Sequence, residues 1–86
     1  MENYSKYKEK VIQFADAYRE EVSEHIIDVM VSVCMTRDNV RAGGSFVQSV
    51  VNNDLLEAIS RADVECLKKL RIITLARHYC HLNSDF

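Results

Sequence analysis

The residues best suited to chemistry lie near the C-terminal end, in the stretch His78-Tyr79-Cys80-His81. Because His78 and His81 are three positions apart, a helix would place both imidazoles on one face, where they could share a metal ion. A third ligand such as His25 or Asp85 would have to come from another part of the fold. Structural zinc sites usually show two pairs of ligands, and histidines near a helix C-terminus also interact well with the helix dipole. We therefore expect no metal site and no cofactor.

The chain's only two glycines form a second candidate site, Gly43-Gly44-Ser45. Free backbone N–H groups at a helix N-terminus attract anions, so Gly43, Gly44 and Ser45 are candidate anion- or ligand-binding residues. The stretch lacks the lysine and the spacing of a P-loop, and no strand precedes it as a dinucleotide-binding motif requires. A tight turn followed by a helix cap explains the same residues without a ligand.

Catalytic residue types are present, but their spacing does not indicate an enzyme. A nucleophile needs a base and an oxyanion site near it, and no pattern here provides either. The chain has three cysteines, Cys34, Cys66 and Cys80. Their odd number, the lack of C-x-x-C spacing and their apolar sequence contexts predict buried free thiols in a reducing cytosol. We expect no catalytic residues.

Length and composition favour one small helical domain spanning residues 1–86. The chain is 48% hydrophobic and has no proline, which is typical of an all-α protein. Its net charge of −2 gives no general attraction to nucleic acid or to an anionic membrane. The charged N-terminus does not resemble a signal peptide, and no apolar run reaches the roughly 18 residues of a membrane span. These features predict a cytoplasmic protein that binds no membrane, with nucleic acid an unfavoured partner.

Hydrophobic periodicity and capping signals divide the chain into two halves. Apolar residues recur at three- and four-residue steps over 5–37, which predicts one long helix. A turn over 38–44 follows, where the glycines would end a helix by adopting the left-handed conformation. Ser45, Asp54 and Asp63 are the predicted N-caps of a segmented half over 45–82, before a tail over 83–86. Whether that half is one kinked helix or several stays open.

Two segments carry apolar residues on more than one helix face, Ile26–Met35 and Val64–Leu82. A long first helix packed antiparallel against a segmented second half has too few layers to cover both segments. The pattern therefore favours a helical hairpin that forms a homodimer or another helical-bundle oligomer. The candidate interface residues are Ile26, Met30, Ile72, Leu75 and Tyr79.

The middle of the chain resembles a group of small proteins encoded by tailed bacteriophages. The resemblance lies in the run G-G-S-F at 43–46, N-D-L at 53–55, Ala58 and R-A-D at 61–63, and it covers about 42–75. The long first segment is outside it, and the glycine- and tryptophan-containing tail common in that group is missing here. The group has no agreed biochemical activity.

The resemblance implies a phage accessory protein in the bacterial cytoplasm. We expect it to act by non-catalytic binding to a host protein, for example by inhibiting a host defence or metabolic factor. Two alternatives stay open. One is a small oligomeric protein that binds a nucleotide or another ligand at Gly43-Gly44-Ser45, and the other is a nucleic-acid-binding regulator.

Overall fold

A computed structural model describes residues 3–83, and within them every regular element is a helix, as an all-α protein requires. The principal dimensions are 31 × 27 × 19 Å. In chain order the helices are α1 Tyr4–Ala17, α2 Glu24–Arg37, α3 Ser45–Val51, α4 Leu55–Arg61, α5 Val64–Lys68 and α6 Leu70–Tyr79.

The predicted long helix over 5–37 is wrong, because the chain breaks between α1 and α2. Arg19 adopts the left-handed conformation, with φ of 56°. Its N–H donates to Asp16 O at 2.9 Å, and the N–H of Glu20 donates to Ala15 O at 2.9 Å. These two bonds form a Schellman motif, which satisfies the last carbonyls of α1 and reverses the chain. Apolar periodicity continues through the break, so the pattern alone did not reveal it.

The same C-terminal motif ends α2 and α3. In both, asparagine rather than glycine occupies the left-handed position. Asn39 and Asn53 have φ of 61° and 58°, and the residue after each donates to a carbonyl five positions back at 2.8 and 2.9 Å. Asparagine tolerates this conformation better than most residues. Neither glycine has a positive φ, so the expectation that the glycine pair ends a helix in the left-handed conformation is wrong.

Two of the three predicted N-caps, Asp54 and Asp63, are correct, and Ser45 is not. Asp54 Oδ1 accepts from the Glu57 N–H at 3.2 Å, and Asp63 Oδ1 accepts from the Cys66 N–H at 2.7 Å, as caps of α4 and α5. The N-cap of α3 is Gly44, which has no side chain to accept a bond, and Ser45 is the first helical residue. The Ser45 prediction is therefore displaced by one position.

The core forms around α2, which packs against α1, α3 and α6. Seven of its residues are buried, because apolar side chains occupy most of its circumference and helices cover it on several sides. The Arg37 guanidinium joins α2 to the end of α6, where its Nη1 donates to Arg77 O at 2.8 Å and to Ala76 O at 3.3 Å. This contact satisfies carbonyls at a helix C-terminus.

The C-terminal half consists of several helices rather than one kinked helix. Ala62 is extended between α4 and α5, and a short interruption at Lys69 separates α5 from α6. Cys34, Cys66 and Cys80 are buried free thiols, as predicted. Of the predicted tail over 83–86, residues 84–86 lie outside the described part of the chain.

Candidate functional site

Three side chains with metal-binding and nucleophilic chemistry meet where the first turn of α2 faces the start of α5. They are His25, Asp63 and Cys66, and one donor atom from each lies within 4.8 Å of the other two. His25 Nε2 is 2.9 Å from Asp63 Oδ2 and 3.9 Å from Cys66 Sγ. Among the described residues they form the one such group of three or more ligands. We call them the His–Asp–Cys cluster.

Local helix signals position two of the three members. Asp63 caps α5 through Oδ1, so its Oδ2 is left to face His25. Cys66 is the third residue of α5 and its single buried residue, so its thiol points inward beside the cap. His25 reaches them because Ser23 caps α2 and starts that helix two residues earlier.

The electrostatics of the cluster do not suit a cysteine nucleophile. Burial, followed by the hydrogen bond and charge of Asp63, raises the pKa of the Cys66 thiol to about 12. The Cys66 N–H, followed by His25, lowers the pKa of the Asp63 carboxyl below its usual value. A catalytic triad places the carboxylate and the nucleophile on opposite ring nitrogens. Here both groups face the same nitrogen, His25 Nε2.

The cluster opens onto a surface depression of about 300 Å³. Its remaining lining comes from Val29 on α2, the cap residue Gly44 with the α3 residues at 45–47, and Arg61 at the end of α4. Arg61 is already engaged, because its Nε donates to Glu57 Oε1 at 2.7 Å. All three members of the cluster therefore line one depression, with His25 and Asp63 exposed and Cys66 buried.

The predicted anion site at Gly43-Gly44-Ser45 forms part of this depression only through Gly44 and Ser45. The Gly43 N–H donates to Thr36 Oγ1 at 3.0 Å, and Gly43 O accepts from Gln48 Nε2 at 3.0 Å. The Gly43 N–H is therefore committed to the turn itself. The stretch acts in the fold as the connection between α2 and α3.

The histidine pair proposed from spacing is not joined by the predicted third ligand. His81 Nε2 lies 3.1 Å from His78 O, and the His78 ring packs edge-on against Tyr79 at 4.5 Å between centroids. His25 belongs to the cluster with Asp63 and Cys66 instead, and Asp85 lies outside the described residues.

Three of the five candidate interface residues are part of the core. Ile26, Met30 and Ile72 have no exposed surface, so they cannot contact a partner in this fold. Leu75 is partly buried against the same core, and Tyr79 is half exposed. The multi-sided apolar helix α2 is covered within one chain, because the break at Arg19 creates an additional helix that packs against it.

A different apolar surface is exposed, on α4 and α5. Within thirteen residues, five large hydrophobic side chains are 44–74% exposed. We call them the α4–α5 surface: Leu55, Leu56, Ile59, Val64 and Leu67. On α4 the single buried residue is Ala58, so almost all of that helix faces outward.

Comparison with known proteins adds no further assignment: no protein-family model matches the chain, and neither a curated protein nor a solved structure matches it. In the described part of the chain, no helix has the length and hydrophobicity needed to cross a membrane.

Sequence reasoning identified Asp63 as a cap but did not identify the cluster around it. The D-x-x-C spacing of Asp63 and Cys66 was a usable signal, because an N-cap and the third helical residue are neighbours in space. His25 is 38 residues from Asp63, and the supposed continuous helix over 5–37 gave no reason to expect them in contact.

Proposed function

We propose that this protein acts by binding another protein without catalysis, and that it binds through the α4–α5 surface. The observation that carries this proposal is the exposure of five large apolar side chains on two adjacent short helices. Five large hydrophobic side chains exposed within thirteen residues favour a protein-interaction site. Isolated ones, such as Ile12 on α1, need no such explanation.

The shape of α4 favours insertion into a groove on the partner. Leu55 and Ile59 are one helical turn apart on the same face, and Leu56 extends that face sideways. Amphipathic helices commonly bind partners by placing side chains at this spacing into an apolar groove. Ala58, which borders this face, is the buried residue that attaches α4 to the core.

The surrounding charges indicate what such a partner looks like. Glu57 and Arg61 pair with each other at the edge of the surface, at 2.7 Å, and Glu65 and Lys68 add one charge of each sign on α5. Because the charged side chains around the α4–α5 surface are both positive and negative, they give no net attraction to a strongly charged partner. The partner therefore has an apolar groove with a mixed polar rim.

The expected energetics fit a transient complex rather than a permanent one. Full burial of one such side chain contributes roughly 2 kcal/mol, so five that are about 60% exposed could contribute on the order of 5 kcal/mol. Association costs reduce this figure, while a permanent dimer usually buries a much larger apolar area. Because the core is already covered within one chain, a different protein is favoured over a second copy as the occupant.

The resemblance to phage-encoded proteins leads us to propose that the partner is a protein of the bacterial host, such as a defence or metabolic factor. Binding to such a factor needs no active site on this chain. The depression beside the His–Asp–Cys cluster leaves a ligand-binding alternative to be tested separately.

The decisive experiment compares two charge substitutions at exposed apolar positions on different helices. Leu56→Glu places a charge in the centre of the α4–α5 surface, whereas Ile12→Glu places one on α1 and is the matched control. Proteins captured from host extract by the wild type are purified and titrated against each variant by calorimetry. We expect at least tenfold weaker binding for Leu56→Glu and unchanged binding for Ile12→Glu.

Two results would overturn the proposal. One is a captured partner that binds Leu56→Glu as tightly as the wild type. The other is a wild-type dimer in sedimentation analysis that Leu56→Glu dissociates, because the α4–α5 surface would then be a self-interface.

A further inference from the structure

We propose that His25, Asp63 and Cys66 form a binding site for a divalent transition metal ion, with Zn²⁺ as the best-suited ion. The site would join α2 to α5 and would leave one coordination position open toward the depression. The argument for this site does not require that the protein bind a partner.

The distances between the donor atoms are close to those of a tetrahedral zinc site. With usual zinc–ligand bond lengths, a nitrogen and an oxygen ligand lie about 3.3 Å apart, and a nitrogen and a sulfur ligand about 3.6 Å apart. The corresponding distances here are 2.9 Å between His25 Nε2 and Asp63 Oδ2, and 3.9 Å between His25 Nε2 and Cys66 Sγ. Side-chain shifts of a few tenths of an ångström would bring these two pairs to the ideal spacing, and the third pair, Asp63 and Cys66, has donor atoms within 4.8 Å of each other.

The donor set selects the class of metal. Imidazole nitrogen and thiolate sulfur suit Zn²⁺ and related transition ions, whereas Ca²⁺ and Mg²⁺ prefer sites made entirely of oxygen. One ionised Asp63 and one deprotonated Cys66 would also balance the two positive charges of the ion. An open fourth position is available to water, since the depression reaches the cluster.

Outer-sphere hydrogen bonds already hold the ligands in place. Asp63 Oδ1 accepts from the Cys66 N–H at 2.7 Å, which fixes the carboxylate and the cysteine relative to each other. Ser23, the cap of the helix that carries His25, donates a hydrogen bond from its hydroxyl to a Glu65 carboxylate oxygen on α5. This bond ties together the two elements that supply the ligands. Such supporting contacts are a regular feature of metal sites.

Binding requires the Cys66 thiol to lose its proton. In the metal-free protein, burial and the neighbouring Asp63 keep that thiol protonated, with its pKa raised to about 12. A bound cation reverses this preference, because a coordinating thiol is deprotonated. One proton is then released to solvent for each ion bound, and a sulfur–metal bond forms.

The test uses Co²⁺ as a spectroscopic probe and Zn²⁺ as its competitor on the full chain. We expect one Co²⁺ per chain, a thiolate-to-cobalt charge-transfer band, and loss of that band when Zn²⁺ is added. Zn²⁺ should also raise the thermal midpoint by several degrees, as a ligand that binds only the folded state does.

Three variants test the ligands, and one serves as a control. Cys66→Ser should abolish the charge-transfer band, and His25→Gln should weaken Zn²⁺ binding more than about 100-fold, since even outer-sphere changes cost 10- to 100-fold. Asp63→Asn keeps a capping side chain but removes the charge, so it should fold normally and bind more weakly. His78→Gln, outside the cluster, should bind as the wild type does. Circular dichroism confirms that each variant is folded.

The proposal is overturned if the wild type shows no charge-transfer band with Co²⁺. It is also overturned if folded Cys66→Ser and His25→Gln bind Zn²⁺ as tightly as the wild type, or if His78→Gln is the variant that loses binding.

Discussion

Gly43 and Gly44 should respond differently to the same substitution, although they are neighbours. A Cβ at Gly43 would lie 2.6 Å from Val47 Cγ1 and 2.8 Å from Ser32 Oγ. Contacts this short require α3 to move away from α2, because Val47 is buried between them. Overpacking of this kind costs about 1–3 kcal/mol. We therefore expect Gly43→Ala to lower the free energy of unfolding by that amount.

At Gly44 an added Cβ meets no atom within 4 Å, and its φ of −75° is open to alanine. Alanine is a poorer N-cap than glycine, but it also reduces the freedom of the unfolded chain, and each effect is roughly 0.5–1 kcal/mol. The two effects oppose each other. Gly44→Ala should therefore change the free energy of unfolding by no more than about 0.5 kcal/mol.

Urea denaturation followed by circular dichroism measures both variants on the same scale. With a denaturant slope near 1 kcal/mol/M for a chain of this size, Gly43→Ala should lower the midpoint by about 1 M or more. Gly44→Ala should leave the midpoint nearly unchanged. Equal losses for the two variants, or a larger loss at Gly44, would refute the packing role assigned to Gly43.

The same pair of variants tests the nucleotide alternative. A phosphate held by the turn would need close backbone approach at Gly44, so Gly44→Ala would abolish stabilisation by the ligand. We expect no thermal shift with mono-, di- or cyclic nucleotides in either the wild type or Gly44→Ala. A shift that depends on Gly44 would favour ligand binding over protein binding as the function.

Two further predictions concern the turns that shape the fold. Arg19→Gly should raise the free energy of unfolding by about 0.5–1 kcal/mol, because the relief of left-handed strain exceeds the extra entropy that glycine loses on folding. Asn53→Gly should raise it less, because asparagine already tolerates the left-handed conformation. Urea midpoints of the two variants measure the difference. Asp38 should contribute to acid sensitivity, since hydrogen bonds from Arg37 and from Tyr7 lower the pKa of its carboxyl despite partial burial. Its stabilising effect is present above the unfolded-state pKa of about 3.9 and is lost as the pH falls through the lower folded-state value, so Asp38→Asn should lose less stability than the wild type in acid. If the wild type and Asp38→Asn lose the same free energy of unfolding on acidification, this assignment is wrong.

Local signals in the sequence predicted the C-terminal half well. The bounds of α3 and α4 follow from apolar residues and from Asp54, because a cap and the turn after it involve only neighbouring residues. The start of α5 follows from Asp63 in the same way. The error at Ser45 arose because a serine can stand either at the cap or just after it, and the neighbouring Gly44 took the cap position.

The prediction of one long helix in the N-terminal half was wrong for a physical reason. Glycine or proline often marks the end of a helix, but α1 ends at Ala17 and the left-handed position after it is Arg19, whose side chain gives no such signal. Apolar residues on both sides of the break keep the helical period, because both helices bury one face in the same core. The sequence argument for self-association used this single long helix, which would have left the α2 segment uncovered, and the homodimer itself stays a prediction.

The candidate site could be predicted only in part, because its members are linked by tertiary structure. Asp63 and Cys66 are local neighbours, but the break at Arg19 sets the direction of α2 and so the position of His25. A single histidine inside the predicted continuous helix over 5–37 gives no indication of its tertiary partners. The exposure of Leu55 and Leu56 could not be predicted from the sequence either, because apolar residues in a short helix are usually part of the core.

The two proposals meet in α5, which has five residues and packs mainly on α6. Cys66 faces inward to the cluster, while Val64 and Leu67 are exposed on the α4–α5 surface. A helix this short has little stability of its own, so its position depends on contacts at its ends. The bonds from Asp63 to His25 and from Ser23 to Glu65 are such contacts. A metal ion at the cluster would strengthen this attachment, and partner binding would then rise with Zn²⁺ in the wild type but not in Cys66→Ser.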